Sequence, residues 1–130
     1  MSATLTAVFS DPKSDANISE AGVLINNKAD GLGACYVLHI PPGNALSLVK
    51  DPGSDVDVLD LTKGGSVSNS QCLLESTGSS ISSTGNELTL TLHLTFRPGF
   101  AGQKNIYLYA ENKDGGKANI QIKKGAWDIR

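Results

Sequence analysis

The chain has 130 residues, 39% hydrophobic, 18% charged and 5% aromatic, a length that fits one domain with a core of its own and leaves little room for two. Its 11 basic and 13 acidic residues give a net charge of −2, with no basic block to track a phosphate backbone, which argues against a nucleic-acid partner. No apolar stretch approaches the roughly 18 residues that a membrane-spanning helix requires, so no membrane partner is expected.

In chain order, MSATLTAVFS lacks the charged leader, apolar centre and small-residue cleavage site of a signal peptide. Met1 and Ser2 read as an added start, so residues 1–130 are expected to be a single module excised from a larger protein. Short apolar runs follow: TLTAVF, GVLINN, ACYVLHI, ALSLVK, VDVLDL and SQCLLE, separated by DPKSDANISE, KADGLG, PPGN, DPGSD and TKGGSVSN. Nearly every gap carries a turn residue. The serine-rich STGSSISSTGNE predicts loop, with at most a short edge strand around Ile81.

From 88 to 96, LTLTLHLTF alternates strictly, with Leu88, Leu90, Leu92, Leu94 and Phe96 on one face, the signature of a half-buried strand. After RPGFAGQ, the run KNIYLYAEN places Ile106, Leu108 and Ala110 together and Tyr107, Tyr109 and Glu111 opposite. ANIQIK follows the turn NKDGGK, where Gly115 and Gly116 supply the positive φ angles of a hairpin. No helical period is sustained and no repeat divides the chain. About eight to ten strands at this spacing predict an all-β, antiparallel β-sandwich, immunoglobulin-like first and jelly roll as the alternative.

Little here points to catalysis. GxSxG, HExxH and phosphate-loop motifs are absent, His39 and His93 fall on strands, and the acids cluster at turns, so a non-enzyme without a cofactor is expected. Structural calcium is a weak alternative at Asp51, Asp55 and Asp57, or at Asp11, Asp15 and Asn17, where hard oxygens gather in loops without EF-hand spacing. Cys35 and Cys72 lie in strand-like stretches away from any zinc pattern. They are either two buried thiols or one disulfide, and the extracellular look of the composition favours the bridge.

The alternation that buries Ile106, Leu108 and Ala110 sends Tyr107 and Tyr109 outward, about 6.5 to 7 Å apart along the strand, on the order of one sugar unit in a β-linked glucan. A flat ring can stack on the C–H face of a pyranose. If ANIQIK pairs beside this strand, Asn119, Gln121 and Lys123 share that face with Glu111 and offer hydrogen bonds to hydroxyls. Trp127 follows near the chain end. Tyr36 joins if the ACYVLHI strand neighbours KNIYLYAEN with Cys35 and Val37 inward. The competing reading makes the tyrosines ordinary strand formers and Trp127 a core plug; a one-residue slip of the hairpin would exchange the faces.

TLTLHLTFRPGFAGQKNIYLYAEN, preceded by GVLINN, ACYVLHI and SNSQCLLESTGSSISSTGN and followed by GAW, resembles an immunoglobulin-like module of secreted, multidomain proteins of acidobacteria and related soil bacteria, over most of the chain. It is also similar to the β-sandwich carbohydrate-binding modules of family eighty-one, appended to soil-bacterial endoglucanases. The resemblance implies a secreted sandwich with Cys35 bridged to Cys72 and a planar face that binds β-glucan (cellulose-type, mixed-linkage or xyloglucan) for an attached glycoside hydrolase. Tyr107, Tyr109 and Trp127 are the positions it carries over. Many of the soil-bacterial modules have a tryptophan where Gln121 stands here, which shifts the expectation from crystalline cellulose toward single chains. The alternative function is a structural or adhesive spacer with no sugar ligand.

Overall fold

The computed structural model describes residues 2–10, 18–28, 33–41, 43–50 and 55–113, and the backbone of 117–129. The elements are β1 (Ser2–Ser10), β2 (Ile18–Asn26), β3 (Cys35–His39), β4 (Ala45–Val49), β5 (Val56–Asp60), β6 (Ser66–Ser68), β7 (Cys72–Thr84), β8 (Glu87–Phe96), a 3-10 turn at Pro98–Phe100, β9 (Gly102–Asn112) and β10 (Lys117–Ile129). They pair antiparallel into two sheets, ordered β1-β8-β7-β6 and β10-β9-β2-β3-β4-β5. The chain therefore changes sheet after β1, β5 and β8. The predicted all-β antiparallel sandwich is the observed architecture.

The strict alternation of β8 fixes its orientation. Leu88, Leu90, Leu92, Leu94 and Phe96 are buried and form one core with Ala21, Val23 and Ile25 of β2, Val37 of β3 and Leu46 and Leu48 of β4. Phe100, carried inward by the 3-10 turn, lies 6.0 Å from Phe96 between ring centroids. Cys35 and Cys72 form a disulfide with a Cα separation of 5.7 Å, joining β3 of one sheet to β7 of the other.

The serine-rich stretch departs from expectation. Residues 76–84 continue β7, paired with β8 to the Thr84–Glu87 turn, and the register jumps between Glu75–His93 and Ser80–Thr91. This bulge closes over a side chain rather than a void. Nδ1 of His93 lies 2.8 Å from the Thr77 carbonyl and 3.1 Å from Oε2 of Glu75. Gly78 has φ of 85°, and a Cβ there would lie 3.2 Å from Nδ1 of the ring. Polar composition concealed a strand because its outward face is serine and its irregularity is held by a histidine from the neighbouring strand.

Leu108 is inward but only partly covered, on the side of the sandwich where β1 ends the smaller sheet. Leu108→Ala is accordingly expected to cost about 1–2 kcal/mol, less than the roughly 2–5 kcal/mol of a fully buried leucine. Leu94→Ala provides that upper reference in the same urea titration, and equal losses would contradict the partial burial.

Candidate outer-face binding site

The outer face of the six-stranded sheet is built around Gly22. Across the central strands Tyr109 is the direct partner of Gly22, which in turn faces Leu38. In the adjacent row Tyr107 faces Leu24 and Leu24 faces Tyr36. A Cβ on Gly22 would lie 2.8 Å from Cδ2 of Leu38 and 3.3 Å from Cε1 of Tyr36. The glycine therefore leaves room over β2 for the Leu38 and Tyr36 side chains of β3. Tyr36 and Tyr109 are both half-buried.

From the sequence, Tyr36 joins this face on the condition that its strand neighbours the Tyr107–Tyr109 strand. In the fold β2 separates them, with Tyr109 as the register partner of Gly22 on one side and the Tyr36 ring beside the same glycine on the other.

Tyr107 needs a correction. It is on the predicted face yet only 9% exposed, because it packs in a cluster with Leu24 and Ala34, against which Tyr36 also lies. Its hydroxyl accepts a hydrogen bond from Nδ2 of Asn105 at 3.0 Å. Tyr107 thus belongs to the cluster on which Tyr36 packs and offers little surface of its own.

Two carboxylates border the aromatic pair, since Glu20 and Glu111 are direct partners on β2 and β9. Tyr109 is held well above the usual phenol range, first by desolvation, then by its hydrogen bond to Glu111 and by the charges of Glu111 and Glu20. Tyr36 is raised too, by burial and by Glu20. A raised folded-state pKa means the folded chain holds the phenol proton more tightly than the unfolded chain. That contribution to stability is complete below the ordinary value near 10 and is lost as the pH rises above it. Tyr109→Phe is expected to flatten the alkaline fall in melting temperature between about pH 9 and about pH 12. An identical profile for the variant would contradict the assignment.

The remaining predicted contacts lie on β10. The backbone register sets Lys123 opposite Tyr107 and Trp127 opposite Lys104, and Asn119 and Gln121 fall in an irregular stretch between Ala118 and Ile122. The side chains of Asn119, Gln121, Lys123 and Trp127 lie outside the described residues, as do Gly115 and Gly116 of the hairpin turn.

Of the acidic loop's residues, Asp55 and Asp57 are described, and both have partners close by. Oδ1 of Asp55 accepts from the Val56 N–H at 2.8 Å and Asp57 lies 3.7 Å from Nζ of Lys50, while Asp51, Asp11, Asp15 and Asn17 are outside the described residues. Among the described residues no group of three or more His, Cys, Asp or Glu side chains gathers in a metal-binding arrangement. His39 is buried, with Nδ1 3.0 Å from the Ala45 carbonyl.

Sequence reading missed Asn69. Its Nδ2 donates to the carbonyls of Ala34 and Val49, both at 3.0 Å, and its Oδ1 accepts from the N–H groups of Gln71 and Cys72 at 2.8 and 2.9 Å. The acceptors belong to the larger sheet and the donors lead into β7. An asparagine shortly before a strand signals a local turn, but nothing local announces the contacts to Ala34 and Val49.

The chain matches no protein-family model, no curated protein and no solved structure. The disulfide, together with the lack among the described residues of any helix long and apolar enough to cross a membrane, is compatible with an extracellular protein.

Proposed function

We propose that this chain is a secreted, non-catalytic carbohydrate-binding module that receives a β-glucan chain on the outer face of its six-stranded sheet. The observation that carries the reading is that Tyr36 and Tyr109, two half-buried rings, share the outer face around Gly22, a position that raises no side chain of its own. Ring faces suit the C–H surface of a pyranose, and Glu20 and Glu111 beside them are acceptors for sugar hydroxyls. The resemblance to carbohydrate-binding modules points the same way. Tethered to a glycoside hydrolase, such a face raises the local concentration of substrate without taking part in the chemistry.

An open sheet face leaves most of a bound chain in water, so affinity is expected in the micromolar to millimolar range. Stacking on the order of 1–3 kcal/mol per ring, the scale seen for nucleobases, makes Tyr109→Ala weaken binding by about 5-fold to 100-fold. Tyr107→Phe removes only a hydroxyl held by Asn105 and should leave binding near the parent value. Affinity electrophoresis through gels containing β-glucan, xyloglucan or xylan measures both. Retardation of the parent and of Tyr107→Phe but not of Tyr109→Ala supports the reading. A parent unretarded in every gel refutes it and favours the spacer, for which Val58, 62% exposed on the outer face of β5, offers apolar surface to a neighbouring domain.

A further inference from the structure

The outer face of the larger sheet offers surface in one direction more than in the other. Antiparallel partners present their side chains on the same face, and the registers link one residue from each of five strands into a single row: Tyr109 of β9, Gly22 of β2, Leu38 of β3, Ser47 of β4 and Val58 of β5. Large and small side chains alternate along it. Leu38 occupies the room over Gly22, and Val58 at the far end is exposed. Four inter-strand steps of about 4.8 Å give the row a length of roughly 19 Å.

The adjacent row, two residues further along each strand, is largely closed. Tyr107, Leu24 and Val49 are buried there. A ligand that leaves Tyr109 along β9 toward Tyr107 therefore loses its contact surface within one step of about 6.5 to 7 Å. Across the strands it meets Leu38 and then Val58. On the other side of the row stand Glu111 and Glu20, whose carboxylate oxygens can accept hydrogen bonds from hydroxyls.

We propose, resting on the carbohydrate-binding reading, that a single β-linked glucan chain lies across the strands along this row, with sugar faces on Tyr109, Leu38 and Val58 and one hydroxyl edge toward Glu111 and Glu20. The three large residues stand two strands apart, about 9.6 Å at the backbone, on the order of the two-unit repeat of a cellulose-type chain, in which every second ring presents the same face. The whole row of roughly 19 Å takes about four units. A twist of about 20–25° per strand turns the row as it crosses the sheet, which suits one free chain that twists with it and not the flat surface of a crystal.

The probes are cellulose-type glucose oligomers of three and five units, titrated against the full chain and followed by methyl NMR. A three-unit chain seated on Tyr109 ends near β4, and a five-unit chain passes Val58. Affinity is expected to rise about 5-fold or more between the two. The longer chain should shift the methyl signals of Leu38 and Val58 but not those of Val8, exposed on the other sheet. Val58→Ser, at an exposed position of an edge strand, should weaken the five-unit chain about 3-fold to 10-fold and leave the three-unit chain at the parent value. Val56→Ser, on the same strand but outside the row, should change neither. Equal affinity for three and five units, an unmoved Val58 signal at saturation, or equal losses from the two serine variants overturns the crosswise course and leaves the carbohydrate reading standing. A parent retarded by a glucan gel that binds neither oligomer up to about 10 mM also overturns it. A parent that is neither retarded nor titrated by any of these sugars overturns the reading itself, and the crosswise course with it.

Discussion

Asn69→Ala should destabilise the fold by about 3–5 kcal/mol, although it removes no apolar contact of the core. All four of its side-chain hydrogen bonds are made, each to main chain, and the residue is only 9% exposed. Its loss leaves the Gln71 and Cys72 N–H groups and the Ala34 and Val49 carbonyls short of a partner. A buried polar group left unpaired costs about 1–3 kcal/mol, partly relieved where water can enter. The Asn69 main chain is held as well: its carbonyl accepts from Nε of Arg97 at 2.9 Å and its N–H donates to the Cys72 carbonyl at 3.0 Å. The side chain therefore cannot be replaced by a simple shift of the turn. Asn69→Asp is the informative companion, because it keeps the acceptor for two N–H groups but sets a carboxylate oxygen against two carbonyls. Both variants should lower the urea midpoint, and a loss below about 1 kcal/mol for alanine would show that water or backbone movement takes over the role.

What could be read from the sequence was what depended on period. The alternation in 88–96 and 106–111 identified the inward leucines and the outward tyrosines because each side chain's face follows from its neighbour's. Surface area was another matter. Tyr107 and Tyr109 share a face and a strand, yet Tyr107 is covered by Leu24 and Ala34 from elsewhere in the chain, while Tyr109 stands opposite a glycine. Gly22 gave no signal of its own inside GVLINN; its importance comes from Leu38 and Tyr36 of the next strand lying close over it. The bulge of β7 was hidden for the same reason, since its cause, His93, lies fourteen or more residues away. Pairwise contacts between distant strands decide the site, and a one-dimensional pattern carries the faces without the neighbours.

Removing the disulfide by Cys35→Ala with Cys72→Ala should cost about 3–4 kcal/mol, the chain-entropy value for a closed segment of this size. The bridged residues are 37 apart in sequence, and the segment between them includes β4, β5 and β6, which span both sheets. Opening the bridge enlarges the unfolded ensemble and also leaves two small apolar side chains in a sealed interior. Reductant should lower the denaturant midpoint of the parent toward that of the double alanine variant and leave the variant itself unmoved; a parent insensitive to reductant while its thiols become titratable would disprove the stabilising role. The bridge and Asn69 are not independent. Cys72 donates its N–H to Asn69, Cys35 follows Ala34, and Ala34 accepts from Asn69, so the covalent and hydrogen-bonded links fasten the same corner of the two sheets. Once either link is lost, that corner opens and the other constrains less. The triple variant should therefore lose less than the sum of the two separate costs, by about 0.5–3 kcal/mol of coupling. Strict additivity in this cycle would mean that the two links hold separate parts of the sandwich.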